Sequence, residues 1–276
     1  MIFYVAEVKG VAQLHNGIYV VCDNYPAIRV FAADTRETLR DIKVPSLKHP
    51  QDIVACAHTS CIYVAESTIA SGLVWRVSES GDKVETWLQA DSETGPFKPE
   101  ALSVTDTRLL VTLRSTNNKL LQCGDDGKKI AQVVLPTYME PLHAVESSVK
   151  RFVVCHTGWR VNNTQFSSVS EVDVHGTVVR KFRCSPEHSV PLGRPQHLAR
   201  DAQGGLFLAD SGTNCVLHLN SNLNPQGVIV CQSRVKRPWR LCHSSGPDCA
   251  LLWVVSANDV GLLVFRMSKG HRIVYV

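Results

Sequence analysis

The sequence lacks the features that would tie it to a membrane or to the commoner catalytic motifs. No apolar run approaches the length of a membrane span. Its opening, MIFYVAEVKG, has neither a basic segment nor the long apolar stretch of a secretion signal. There is no GxSxG nucleophile elbow, no HExxH pair and no Walker loop. CGDDGKK, from Cys123, is a polar hairpin turn, because its glycines stand too close together for a P-loop. No CxxC pair occurs, and no cysteine–histidine spacing of the RING type. Helical periodicity is missing too, which excludes a solenoid of helix pairs.

What remains is an ordinary globular composition. The 276 residues are 44% hydrophobic and 20% charged, enough to bury a sizeable core without staples. The net charge of +4 permits an anionic partner without requiring one. Ten cysteines lie mostly in or beside apolar runs such as YVVCD, FVVCH and VIVCQ. They read as small buried hydrophobes in a reducing compartment, with a disulfide framework as the rival reading, and a cytoplasmic location is expected.

A repeat organises the chain. KHPQDIVACAH, FKPEALSVTD, MEPLHAVESS, GRPQHLARDAQ and KRPWRLCHSS each open a block, with prolines at 50, 99, 141, 195 and 238. The steps between these prolines are 49, 42, 54 and 43 residues. VKGVAQLHN fits as an earlier copy, with Gly10 in the proline slot. Each opening leads to an apolar run (IYVVC, IYVAE, LLVTL, FVVCH, LFLAD, LWVVS), then a turn and further strands. Glycines in turns such as SGDK and DDGK supply the positive φ that hairpins need.

Six copies of a four-stranded unit predict an all-β chain, a six-bladed β-propeller of four-stranded antiparallel blades. The chain is expected to be one propeller over 1–276, with blades at roughly 6–46, 47–94, 95–136, 137–190, 191–233 and 234–276. Ile2–Val5 lies outside the copies and is expected to pair near Ile273–Val276 and close the ring.

Blade five, GRPQHLARDAQGGLFLADSGTNCVLHLN, resembles an NHL repeat through Pro195, Asp210 and Asn214. The other copies are degenerate: Glu66 stands where blade five has Asp210, blade one has Asp23 one place later, blade four has His156 and blade six Ser256. The resemblance implies a propeller like the C-terminal NHL domain of tripartite-motif proteins, which selects a protein or RNA target for a ubiquitin ligase. Asp210 itself is expected to accept backbone N–H bonds in an Asx-type turn.

Two sets of residues are candidates for function. The first set consists of exposed cations and aromatics. The stretch HTGWRVNNTQFSSVS reads as a long loop carrying Trp159 and Arg160. SRVKRPWRL sets Arg237 and Arg240 around Trp239, and Arg114 follows LLVTL. Basic residues interleaved with aromatics suit a protein or a single-stranded RNA partner. The second set stands two places after the opening proline: Asp52, Ala101, His143, His197 and Arg240, with Ala12 in the first copy. His143, His197 and Asp52 are able in principle to hold one divalent ion. The alternative function is therefore a metal-dependent hydrolase or lyase at the central channel, like propeller lactonases or the amidating lyase. Arg240 in the same layer opposes a cation, so the leading expectation is a binding module with no catalytic residues and no cofactor. It is expected to be a monomeric propeller, either alone or as part of a longer chain.

Overall fold

The structure, a computed structural model, describes residues 7–68, 71–90, 97–105, 107–114, 118–159, 165–182, 192–245, 250–257, 261–267 and 273–274. The regular structure among them is all β: six antiparallel four-stranded sheets, a six-bladed β-propeller. No helix among the described residues is long and apolar enough to cross a membrane.

The chain divides into two compact units. One spans Ala6–Leu135 and holds three blades. Blade one is β1 (Val8–Leu14), β2 (Gly17–Cys22), β3 (Ala27–Ala32) and β4 (Thr38–Lys43). Blade two is β5 (Pro50–Cys56), β6 (Cys61–Ser67), β7 (Gly72–Ser78) and β8 (Val84–Gln89). Blade three is β9 (Pro99–Val104), β10 (Leu109–Leu113), β11 (Lys119–Cys123) and β12 (Lys129–Val134).

The other unit contains Pro136–Val276. Blade four is β13 (Glu140–Ser148), β14 (Arg151–Trp159), β15 (Gln165–Asp173) and β16 (Val178–Lys181). Blade five is β17 (Pro195–Arg200), β18 (Leu206–Asp210), β19 (Cys215–Leu219) and β20 (Pro225–Val230). Blade six is β21 (Pro238–Ser245), β22 (Ala250–Ser256), β23 (Gly261–Met267) and β24 (Ile273–Val274). Within blade six, β24 pairs with β23; Ile2–Val5 lies outside the described residues.

Burial explains the strand types. The second strand of a blade is apolar without alternation, as in β2, β10 and β18, which are buried along their whole length. In blade five, blades four and six cover both of its faces, so both faces must be apolar. Leu14, Val21, Ile53 and Val64 thus share one core between blades one and two. Leu142, Val153, Leu198 and Leu208 do the same between blades four and five. The fourth strand reads differently: in β4, TLRDIK, only Ile42 is buried. Its charged residues keep an unpaired edge soluble.

One irregularity recurs and fixes the register. The first strand carries a bulge just after its proline: Pro50/Asp52, Pro141/His143, Pro195/His197 and Pro238/Arg240. Proline tolerates this place because it has no N–H to give to the ladder. Blade one has the same bulge between Val8 and Gly10. Val8, not Gly10, therefore occupies the proline slot, and Gly10, not Ala12, stands two places on. The apolar Val8 fits the slot but leaves no proline to read in the sequence.

Candidate binding surface at the proline end of the blades

In every blade the first strand begins, and the second ends, at the same end of the sheet. The polar residues singled out by the sequence gather there, and most of them are occupied with the backbone. Asp210, fully buried, pairs in register with Pro195. Its Oδ2 accepts the N–H of Gly193 at 2.7 Å, and its Oδ1 those of Arg194 at 2.5 Å and Gly212 at 3.0 Å. Glu66 holds the same register place opposite Pro50. Its Oε1 accepts from Lys48 at 2.8 Å and His49 at 3.3 Å, while Oε2 accepts from the Trp75 indole at 2.8 Å. In blade six the Ser256 hydroxyl donates to the Lys236 carbonyl at 2.5 Å. Each device ties the segment before the proline to its own blade. Asn214, at φ 57°, reaches further: its Oδ1 accepts the N–H of Arg237 in the next blade at 2.7 Å.

The layer two places after the proline joins blades. Asp52 Oδ2 accepts the Leu102 N–H of blade three at 2.9 Å. His143 Nδ1 accepts that of Leu198 in blade five at 3.2 Å, and His197 Nδ1 that of Leu241 in blade six at 3.4 Å. The two imidazoles stack, ring centroids 3.7 Å apart at 25°. In blade one the approach is too close for a side chain: a Cβ on Gly10 would meet Ile53 Cγ2 at 2.8 Å and Ile53 N at 3.0 Å.

This chemistry fits a metal poorly. An Nδ1 that accepts from a backbone N–H has its lone pair committed, so the ring proton sits on Nε2. A ligating nitrogen must be bare of its proton. His143 and His197 would each have to break the bond to Leu198 or Leu241, or lose a second proton, to bind an ion.

The exposed candidates lie at the same ends of their blades. The stretch read as a long loop is instead mostly strand: β14 and β15 pair as far as Trp159↔Gln165. In blade five the second strand stops at the residue facing Pro195. In blade four it runs three residues past His156, which faces Pro141. Three residues at about 3.3 Å each make a hairpin longer by about 10 Å. Trp159 is 53% exposed at its end, and Tyr138, beside the Gly158 backbone, is 41% exposed. Arg160 lies outside the described residues.

Arg237 is exposed, and with Lys236, Asn214, Ser211, Gln232 and Ser233 it lines a cleft of about 650 Å³. Arg194, exposed in blade five, is a cation that the sequence reading did not single out. Trp239 is half-buried, and Arg240 is buried with its guanidinium 5.2 Å from the Trp239 ring. Arg114 is exposed in the other unit, at the end of β10.

No protein-family model matches the chain, and no curated protein matches it by sequence. Solved structures do match. A chain of Kuenenia stuttgartiensis hydrazine synthase is 14% identical with a TM-score of 0.71, over 95% of this chain and 84% of that one. Virginiamycin B lyase from Staphylococcus aureus is 12% identical with a TM-score of 0.63, over 94% of each chain. The WD40 β-propeller domain of Doa1 is 12% identical with a TM-score of 0.63, over 98% of this chain and 96% of that one. At such identities the likeness shows the propeller fold alone.

Proposed function

We propose that this propeller is a non-enzymatic binding module that docks an acidic protein segment on the proline end of blades four to six. The observation that carries the reading is the lengthened blade-four hairpin, which leaves Trp159 exposed three residues beyond the point where β18 of blade five ends. A solvent-facing tryptophan gains binding energy when a partner covers it, and tryptophan and arginine dominate interface hot spots. Arg194, Lys236 and Arg237 supply charge on the neighbouring blades. Trp239 lies under Arg240, which argues for a protein rather than a base-stacking RNA partner. The NHL-like blade five supports a target-recognition role of the tripartite-motif kind.

The enzyme alternative draws on the likeness to virginiamycin B lyase. It asks for free acid, base or metal ligands, whereas Asp210, Glu66, Asp52, His143 and His197 all hold backbone N–H groups.

The test is affinity capture with the wild-type chain, followed by reconstitution with the purified partner. W159A and the pair R194E/R237E are each expected to weaken that complex about 10-fold or more. Unchanged affinity in both variants would remove this surface from the function.

A further inference from the structure

A second cationic cleft lies wholly in the unit of blades one to three. Lys9, Lys48 and Lys98 line it, with His49, Gln51, Ser67, Thr68 and Asp23. These residues come from three successive blades, and the lysines all stand within two places of the proline slot. Lys9 and Gln51 are the bulge residues of blades one and two, each between the proline slot and the residue two places on. A bulge turns its extra side chain out of the ladder. Lys48 stands two places before Pro50, and Lys98 one place before Pro99.

Three carboxylates stand near these lysines: Glu7, Asp23 and the buried Glu66, whose Oε1 accepts the backbone N–H groups of Lys48 and His49. Asp23, the sole carboxylate among the described lining residues, faces His49 Nδ1 at 3.3 Å. Glu7 pairs with Lys9 at 2.7 Å. The ammonium groups of Lys48 and Lys98 make no ion pair among the described residues, Lys48 meeting Glu66 through its backbone N–H alone. Gln51 is held in place through its amide nitrogen, which donates to the carbonyls of His49 and Ser67. The cleft, about 840 Å³ and open to solvent, has ammonium, hydroxyl, amide and imidazole groups among its lining residues.

We propose that this cleft binds a phosphate-bearing anion carrying two or more negative charges. Ammonium groups recognise phosphate as point charges, without the planar fork that selects carboxylates. Three such groups from separate blades suit spread phosphate oxygens better than one compact monoanion. The site is independent of the surface on blades four to six, so either proposal can fail alone.

The experiment is titration calorimetry of the purified chain with inorganic tripolyphosphate and, separately, a nucleoside triphosphate. Saturable 1:1 binding is expected. K48A/K98A should weaken it about 10-fold or more, while K128A/K129A, which removes the same charge from exposed positions in blade three, leaves it unchanged. Thermal melts of both variants matching the wild type establish that each is folded. Equal affinity for the two probes means that phosphate alone is read; tighter nucleotide binding means that the base adds contacts. Both results support the site. No binding of either probe, or equal weakening by the two double variants, overturns it.

Discussion

His143 lies face to face on His197, ring centroids 3.7 Å apart, and each ring takes a backbone N–H from the next blade through Nδ1. The pair therefore acts as a clasp between blades. His143→Leu leaves the buried Leu198 N–H without its acceptor and should lower stability by about 2 kcal/mol in urea denaturation. Added zinc should not raise the Tm of the wild type. A saturable rise that His143→Leu abolishes would restore the metal reading.

Asp210 and Glu66 do one job with different side chains, and their loss should show it. Asp210→Ala leaves three N–H groups without an acceptor, those of Gly193, Arg194 and Gly212. A destabilisation of about 3 kcal/mol is expected. Asp210→Asn should recover only part of it, since its NH₂ group faces donors. Glu66→Gln should behave likewise and also weaken the hold on the Trp75 indole. Denaturation curves of the three variants check this.

Burial pushes the His156 imidazole down to about 4 from an ordinary 6.5, against a small opposing pull from the Thr157 carbonyl. As pH falls below 6.5 the unfolded chain takes the proton and the folded one resists it. Stability is therefore whole above pH 6.5 and drains as pH falls to 4, by about 3 kcal/mol from this group. His156→Gln should flatten the fall by that amount when unfolding is followed across the window. Equal slopes for both proteins would remove His156 as the cause.

Gly158 sets the base of the blade-four hairpin. A Cβ there would meet the Tyr138 carbonyl at 2.3 Å and the Phe166 ring at 2.8 Å. Gly158→Ala should cost about 2 kcal/mol or more, because backbone must move. The shift should also alter the fluorescence of Trp159, an effect absent from Gly204→Ala, where no atom stands within 4 Å of the new Cβ.

The cysteines should separate sharply by reactivity. A hydrogen bond with Ser233 lowers the exposed Cys231 thiol below its usual range. Burial pushes Cys22 to about 11 and Cys123 to about 12. A maleimide should label Cys231 in the folded chain well before Cys22 or Cys123. Peptide mapping after brief labelling reads the order directly.

Much of the fold was legible because the repeat is written in two local signals. Apolar runs such as LLVTL and LFLAD mark the covered second strands, and a proline marks the bulge of the first. Where the proline is missing, in blade one, the register slipped by two residues, from Val8 to Gly10. HTGWRVNNTQFSSVS looked like a loop because it is polar. It pairs as strand all the same, and of the three residues that lengthen β14 only Trp159 is exposed.

The sequence by itself determined the strand count, the blade pattern and the local bond of Asp210 to the Gly212 N–H, since these depend on residues close along the chain; its bonds to Gly193 and Arg194 span 17 and 16 residues. Only the tertiary structure decided which N–H groups His143 and Asp52 accept and which lysines share a cleft. The acceptor at His143 meets a donor 55 residues away, and Lys9, Lys48 and Lys98 share a cleft only after three blades stand side by side. Pairings of that kind follow from blade packing, and no local pattern of residues encodes them.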